Sequence, residues 1–359
     1  MVLDRISLGD FRNHALTELS GAGAFNLLVG ANGAGKTNIL EALSLLAPGR
    51  GLRRATLNEM AREGASGGFA VGASLLAHDE PVRLGTWTQA EATMRRRVRI
   101  NSAETGAVAL AEWLAIGWLT PAMDGLFAGP AQDRRRYLDR LTLARDPHHG
   151  GHASQYEKAL RERNRLLSDR REPDGRWLDA IEAQMAEHGA GLAEGRSRTV
   201  DALMAQIVAQ DEAPFPRPAL TYAPGGPVGH EQLEQALHDA RARDRAAQRT
   251  LSGPHRDDLK VSYAAKRMAA AQCSTGEQKA LLLAMTLAHA ALAAEGRPSV
   301  LLLDEVAAHL DPDRRAALFE RLRATGTQVW MTGTELAPFA AIEAEAAVWN
   351  VTSGAARRL

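Results

Sequence analysis

The chain has 359 residues, 45 % hydrophobic and 24 % charged, a balance that suits a soluble globular protein with a sizeable core. Its 43 basic residues match 43 acidic ones, which argues against coating nucleic acid by bulk charge but not against a local basic face. No apolar run nears the ~18 residues of a membrane span, no basic-then-apolar leader opens the chain, and the single cysteine, Cys273, excludes an intrachain disulfide; a cytoplasmic location is the expectation.

In chain order, "RISLGDF" alternates Ile6 and Leu8 and reaches Phe11, as a half-buried strand does. "FNLLVG" (25–30) is a short buried strand ending in glycine, and "GANGAGKTN" follows at once. From Thr37 the period changes: Ile39, Leu40, Leu43 and Leu46 share a helical face that Pro48-Gly49 closes. Residues 68–104 read as antiparallel strands. From about 120 the texture is charged, amphipathic and helical, with breaks at Asp146-Pro147, Pro173-Asp174-Gly175 and 213–218; residues 231–250 read as a further arginine-rich helix. After "SGPHRDDLKVSY" strand and long buried helix return, and "SVLLLDE" (299–305) and "TQVWMTGT" (327–334) are apolar strands. The expectation is an α/β head split in sequence: residues 1–120 and 251–359 form the head, and 121–250 an inserted helical arm.

Gly30–Thr37 fits G-x-x-x-x-G-K-[ST] in full, between a strand and a helix. Such a loop (Gly30, Ala31, Asn32, Gly33, Ala34, Gly35) lets backbone N–H groups curl round phosphate oxygens at a helix's positive end. Lys36 would reach the β/γ-phosphates of ATP, and the Thr37 hydroxyl would ligate Mg²⁺. Asp304 ends a strand at the carboxyl edge of the sheet and suits the Mg²⁺ shell, while Glu305 can orient or deprotonate water. Asp311 precedes Pro312 as an N-cap does. His309 reads as a turn or packing residue rather than a ligand.

"CSTGEQKALL" opens a long apolar helix. Ser274 and Glu277 are spaced as a capping box, and taken alone capping accounts for them. Yet the stretch lies between a phosphate loop and an Asp-Glu strand, an order similar to that of ABC-type ATPases, whose signature reads roughly S-x-G-[EQ]. "DFRNH", "GANGAGKTNILEAL", "GPAQDRRRYLDRL", "SGPHRDDL", "CSTGEQKALL" and "LLLDEVAAHLD" together resemble the RecF family, bacterial DNA-repair ATPases related to SMC proteins.

That resemblance implies an α/β P-loop ABC-type ATPase head with an antiparallel β lobe and an inserted helical arm. It implies ATP and Mg²⁺, an ATP-dependent homodimer on DNA, slow hydrolysis, and action with RecO and RecR to load RecA at single-strand gaps and in the SOS response. By position it assigns Lys36, Thr37 and Asn38 to the phosphates and metal, and Asp304 and Glu305 to the metal shell and the water. Ser274, Gly276 and Glu277 would act in trans, Asp311 would cross the dimer interface, and Arg12 would lie near the nucleotide. Arg53 or Arg54 matches a basic position after the first helix. Two departures stand out. Asp124 or Gln132 is nearest to where the ABC-type glutamine falls, and Thr332 or Thr334 stands where a switch histidine is usual. An ABC transporter motor is the alternative reading. Candidate DNA contacts are Arg95, Arg97 and Arg99 on one strand face, Arg134–Arg136, and Arg241, Arg243, Arg245 and Arg249.

Overall fold

The computed structural model describes residues 3–65, 67–77, 80–89, 92–171, 173–210, 213–307 and 310–359; His309 lies outside them. Strands β1 (Leu3–Phe11) and β2 (His14–Ser20) form a hairpin, and β3 (Phe25–Val29) leads through the glycine-rich loop into α1 (Lys36–Ser44). A short α2 (Leu57–Met60) precedes β4 (Ala70–Ala77), β5 (Glu80–Gln89), β6 (Ala92–Ile100) and β7 (Ala103–Thr105). Next come α3 (Leu110–Trp113) and β8 (Ala115–Leu119), then the helices α4 (Ala131–Arg145), α5 (His149–Leu167) and α6 (Gly175–Ala209). Strand β9 (Pro218–Ala223) is followed by α7 (His230–Asp239), α8 (Arg241–Ala246), β10 (Asp258–Tyr263) and β11 (Met268–Ala269). The chain closes with α9 (Thr275–Ala293), β12 (Ser299–Leu303), α10 (Pro312–Thr325), β13 (Gln328–Gly333), β14 (Ala346–Thr352) and β15 (Ala355–Arg358).

By contacts the chain divides into two compact units, residues 1–124, 212–215 and 282–359, and residues 125–211 and 216–281. Residues 251–281, read with the C-terminal part of the head, group instead with the second unit, because β10 pairs antiparallel with β9 along its whole length.

The first unit holds two six-stranded sheets. One runs β15-β14-β3-β13-β12-β8 and is parallel except for β15; the other runs β2-β1-β4-β5-β6-β7 and is antiparallel. In the parallel sheet β3, β12 and β13 are buried at every position, as strands covered on both faces must be. In the antiparallel sheet Ile6, Leu8, Val71, Ala73, Val82, Leu84 and Val98 point inward, and α1 shares their core through Ile39, Leu40 and Leu43. Helix α1 stops at Ser44, four residues short of the expected proline. The stop is held from the lobe: Arg96 points inward and donates to the carbonyls of Leu45, Ala47 and Gly49, where a helix end gathers partial negative charge.

The second unit packs α5 on α6 and α7 through Tyr156, Leu178, Met185, Leu192, Leu233 and Leu237. The 35-residue α6 spans roughly 52 Å at ~1.5 Å per residue. The helix expected over 231–250 is two, meeting at Ala240. The fully buried Arg163 bonds Glu182, Asp244, Thr250 and the Leu237 carbonyl, so its desolvated charge is met on every side. Arg134 pairs with Asp258, Arg135 with the Asp257 carbonyl, and Arg241 with Glu182 and Asp179. These arginines, read as DNA contacts, stitch their own unit together.

Candidate nucleotide site

Strand order brings the site together. β13 lies between β3 and β12, so three carboxyl ends stand side by side: the glycine loop after β3, Thr332-Gly333 on β13, and Asp304-Glu305 after β12. The loop lies close to its neighbours. A Cβ on Gly30 would stand 2.1 Å from the Val351 carbonyl oxygen, which only glycine avoids. Gly35, the α1 N-cap, has φ +116° and leaves the first N–H groups of the helix without a side-chain cap. Those N–H groups and the helix dipole make an anion seat. The Lys36 ammonium folds over the loop, donating to the Gly30 and Ala31 carbonyls at 2.6 and 2.9 Å.

Thr37 Oγ1 donates to Asp304 Oδ1 at 2.9 Å, and Thr332 Oγ1 donates to the same oxygen at 2.8 Å. Thr332 also accepts the Glu305 N–H at 2.9 Å. Asp304, 7 % exposed, is thus aimed by two hydroxyls, and the backbone of Glu305 is pinned by one of them. Glu305 has φ +56°, a left-handed conformation that a non-glycine residue adopts at a cost of order 1 kcal/mol and that clusters at working sites. Of the two threonines that could stand in the switch position, Thr332 is therefore the one that touches the site. The hydroxyl and carboxylate are hard oxygen donors and fit Mg²⁺.

Several residues of the site were given no role by the sequence, although Asn13 and His14 lie in the quoted "DFRNH". The turn between β1 and β2 props the loop from below: Asn13 Nδ2 donates to the Ala34 carbonyl, and His14 Nε2 lies 3.1 Å from the Gly35 carbonyl oxygen. The Gly354 N–H donates to Ala34 at 2.9 Å, and Thr17 donates to the Gly354 carbonyl. Burial lowers the His14 pKa, so the ring is neutral at pH 7. Arg12, expected beside the nucleotide, clamps the fully buried Glu41 through two bonds of 2.8 and 2.7 Å and reaches the Glu59 carbonyl. Arg53 joins it on Glu41 and on Asn38, which in turn donates to Asn13.

The signature stretch belongs to the second unit. Ser274 and Glu277 form the capping box: the Ser274 N–H donates to Glu277 Oε2 at 2.9 Å, and the Glu277 N–H reaches Ser274 Oγ at 3.4 Å. Lys266 bonds the same carboxylate, and with Ser274 it draws the Glu277 pKa down to about 2. Ser274, Gly276 and Glu277 have little cover, and a Cβ on Gly276 would meet open space. Asp311 caps α10, accepting from the Arg314 N–H at 2.9 Å.

A strand–loop–helix phosphate seat faced by an Asp-Glu strand and joined to an antiparallel lobe defines a head of the SMC and ABC ATPase class. The chain matches the RecF/RecN/SMC N terminal domain over residues 2–355 and belongs to that class. Within it, the chain is a member of the RecF family. It is 49 % identical to the DNA replication and repair protein RecF of Mesorhizobium japonicum, over 98 % of this chain and 96 % of the relative, and 48 % identical to that of Brucella suis, over 98 % and 94 %. The fold superposes on a solved structure of the recombination mediator protein RecF with ATP, in the RecFOR pathway, at a TM-score of 0.86 and 23 % identity, covering 100 % of this chain and 97 % of the other. An SMC head with extended coiled coil shares the fold at TM-score 0.56 and 15 % identity, covering 100 % and 96 %.

Proposed function

We propose that the chain binds and slowly hydrolyses ATP, and that ATP held between two heads closes a homodimer on DNA. The observation that carries this is the Thr37–Asp304–Thr332–Glu305 constellation beside the glycine loop. The loop N–H groups and Lys36 hold the β- and γ-phosphates. Bound Mg²⁺, held by Thr37 and Asp304, would neutralise phosphate charge. Glu305 orients the attacking water and takes its proton, while Thr332 keeps that carboxylate in register with Asp304.

Ser274, Gly276 and Glu277 offer the start of α9 to the γ-phosphate of a second head. Their fit to that role is physical. Glycine is a weaker helix former than alanine, by about 1 kcal/mol in a helix interior, and nothing within the described chain needs the missing Cβ of Gly276. An incoming phosphate does. Asp311 crosses the same interface, and Arg12 tunes the seat through Glu41. The relatives' names speak of DNA replication and repair and of the RecFOR pathway; from the family resemblance we infer the wider reading, a cytoplasmic repair protein acting with RecO and RecR toward RecA at single-strand gaps, with hydrolysis stimulated by DNA. Sedimentation with and without ATP–Mg²⁺ tests the core of this proposal. A doubling of mass with ATP is expected, and an unchanged mass at saturating ATP overturns the dimer.

A further inference from the structure

Strands that bury one face show the other. The outward face of the antiparallel sheet does not carry the usual bulky polar side chains at its centre. Registers place Ser7 beside Gly72, Gly72 beside Gly85 and Gly85 beside Arg99, in one row across four strands. The adjoining row runs Gly9, Ala70, Trp87, Arg97, and the row on the other side runs Arg5, Ser74, Arg83. Ser7, Ala70, Gly72 and Gly85 thus floor a shallow trough of roughly 350 Å³, with Arg83, Trp87, Arg99 and Asn101 at its bank.

Glycine inside a strand weakens it and often marks a place where another chain approaches closely. At Gly85 and Gly9 a Cβ would meet nothing nearer than 4.0 and 3.9 Å, so packing within the sheet does not require either glycine. The bank is basic. Arg95, Arg97 and Arg99 alternate along β6, about 7 Å apart at ~3.4 Å per residue, the scale of successive phosphates on one strand of nucleic acid. Glu104 is bonded bidentately to Arg97 and lies in the field of Arg95 and Arg99. Unlike Arg134, Arg135 and Arg241, the bank's Arg83 and Arg99, and Arg95 beyond it along β6, are exposed and point away from the core.

We propose that this trough seats the sugar–phosphate backbone of duplex DNA; the proposal rests on the DNA-binding reading above and names its surface. Arg83, Arg95 and Arg99 meet phosphates, and the small floor lets the backbone lie against the sheet. Trp87 selects duplex over single strands. Arg97 and Arg99 lie over its ring, their guanidinium carbons 5.6 and 5.0 Å from its centre, and compete with an unpaired base for stacking there.

The test measures binding of the full-length protein with ATP–Mg²⁺ to a labelled duplex and to a single strand of the same sequence, across salt. For Arg95→Gln/Arg99→Gln, duplex affinity is expected to fall roughly tenfold or more, and the slope of log affinity against log salt by about 2, near one for each phosphate that is no longer neutralised. Affinity for a fluorescent ATP analogue and the melting temperature should hold. Gly85→Leu, which fills the trough without changing charge, is expected to weaken duplex binding at an unchanged salt slope. If the unaltered protein ignores DNA, the DNA-binding reading falls and the trough with it. If it binds duplex and the glutamine variant keeps its slope, or binds single strands better than duplex, the trough alone is overturned.

Discussion

The phosphate loop and the start of α9 are both helix N-termini that we propose receive an anion, but they are supported in opposite ways. The loop is held by groups from three distant stretches: Asn13 and His14 from the first hairpin, Gly333 from β13, and Val351 and Gly354 from the last hairpin. The start of α9 is organised by its own neighbourhood, with Lys266, Ser274 and Glu277 within twelve positions and Gln278 donating to the Cys273 carbonyl at 2.9 Å. A seat that must hold a nucleotide by itself is rigidified from all sides. On the proposed reading, one that completes a neighbour's site needs only a defined end and open space in front. Changes in the first region should therefore register in one head, and changes in the second only when two heads meet.

The largest effect that sharpens this contrast is expected from Glu305→Gln. Losing a general base costs roughly 10²–10⁴ in rate, so turnover should nearly vanish while the analogue still binds and the dimer lives longer. Hydrolysis at the normal rate would remove Glu305 from the chemistry. Ser274→Arg probes the other region. It should abolish ATP-driven dimerisation, with single-head nucleotide affinity intact and the melting temperature lower by only the ~2–4 °C that losing a cap of about 1 kcal/mol brings. Dimers that persist in a much less stable protein would make Ser274 a cap alone.

Thr332→Val comes next. It removes both bonds that tie Asp304 to Glu305, and a small misplacement of a catalytic group can cost about a hundredfold. The fall should appear in kcat with KM little changed, and Thr332→Ser should restore it. Equal losses in valine and serine variants would mean that the methyl group matters and the hydroxyl does not. The smallest effect concerns pH. Burial holds the folded pKa of His14 below its ordinary 6.5, so protonation favours the unfolded chain. The stability it contributes is present above pH 6.5 and is lost as pH falls through the folded value. The melting temperature should decline by a few degrees at most between pH 7 and 5.5, and less steeply in His14→Gln.

The parts of this arrangement that were legible in the sequence are those whose chemistry is local. Gly30–Thr37, the Asp304-Glu305 strand end and the box at Ser274 each declare themselves within eight residues, because a loop, a strand end and a cap are short-range structures. The antiparallel lobe was legible as alternation, and so were the outward Arg95, Arg97 and Arg99. What period two also implied, but charge hid, is that Arg96 faces inward to hold the end of α1. The props under the loop were not legible. Thr17 and Gly354 are ordinary residue types whose meaning comes from a bond that spans 337 positions, and His14 reaches the Gly35 carbonyl across 21. Arg134, Arg135 and Arg241 were opaque for the same reason: their partners Asp258, the Asp257 carbonyl, Glu182 and Asp179 lie far along the chain.

Gly354 has one more consequence. At φ +79°, with no room for a Cβ beside the Asn13 carbonyl, it closes the underside of a loop that was made near the beginning of the polypeptide. Synthesis at ~5–20 residues per second separates the two by on the order of half a minute. A nascent chain thus carries a loop whose underside stays open until Gly354 has been made.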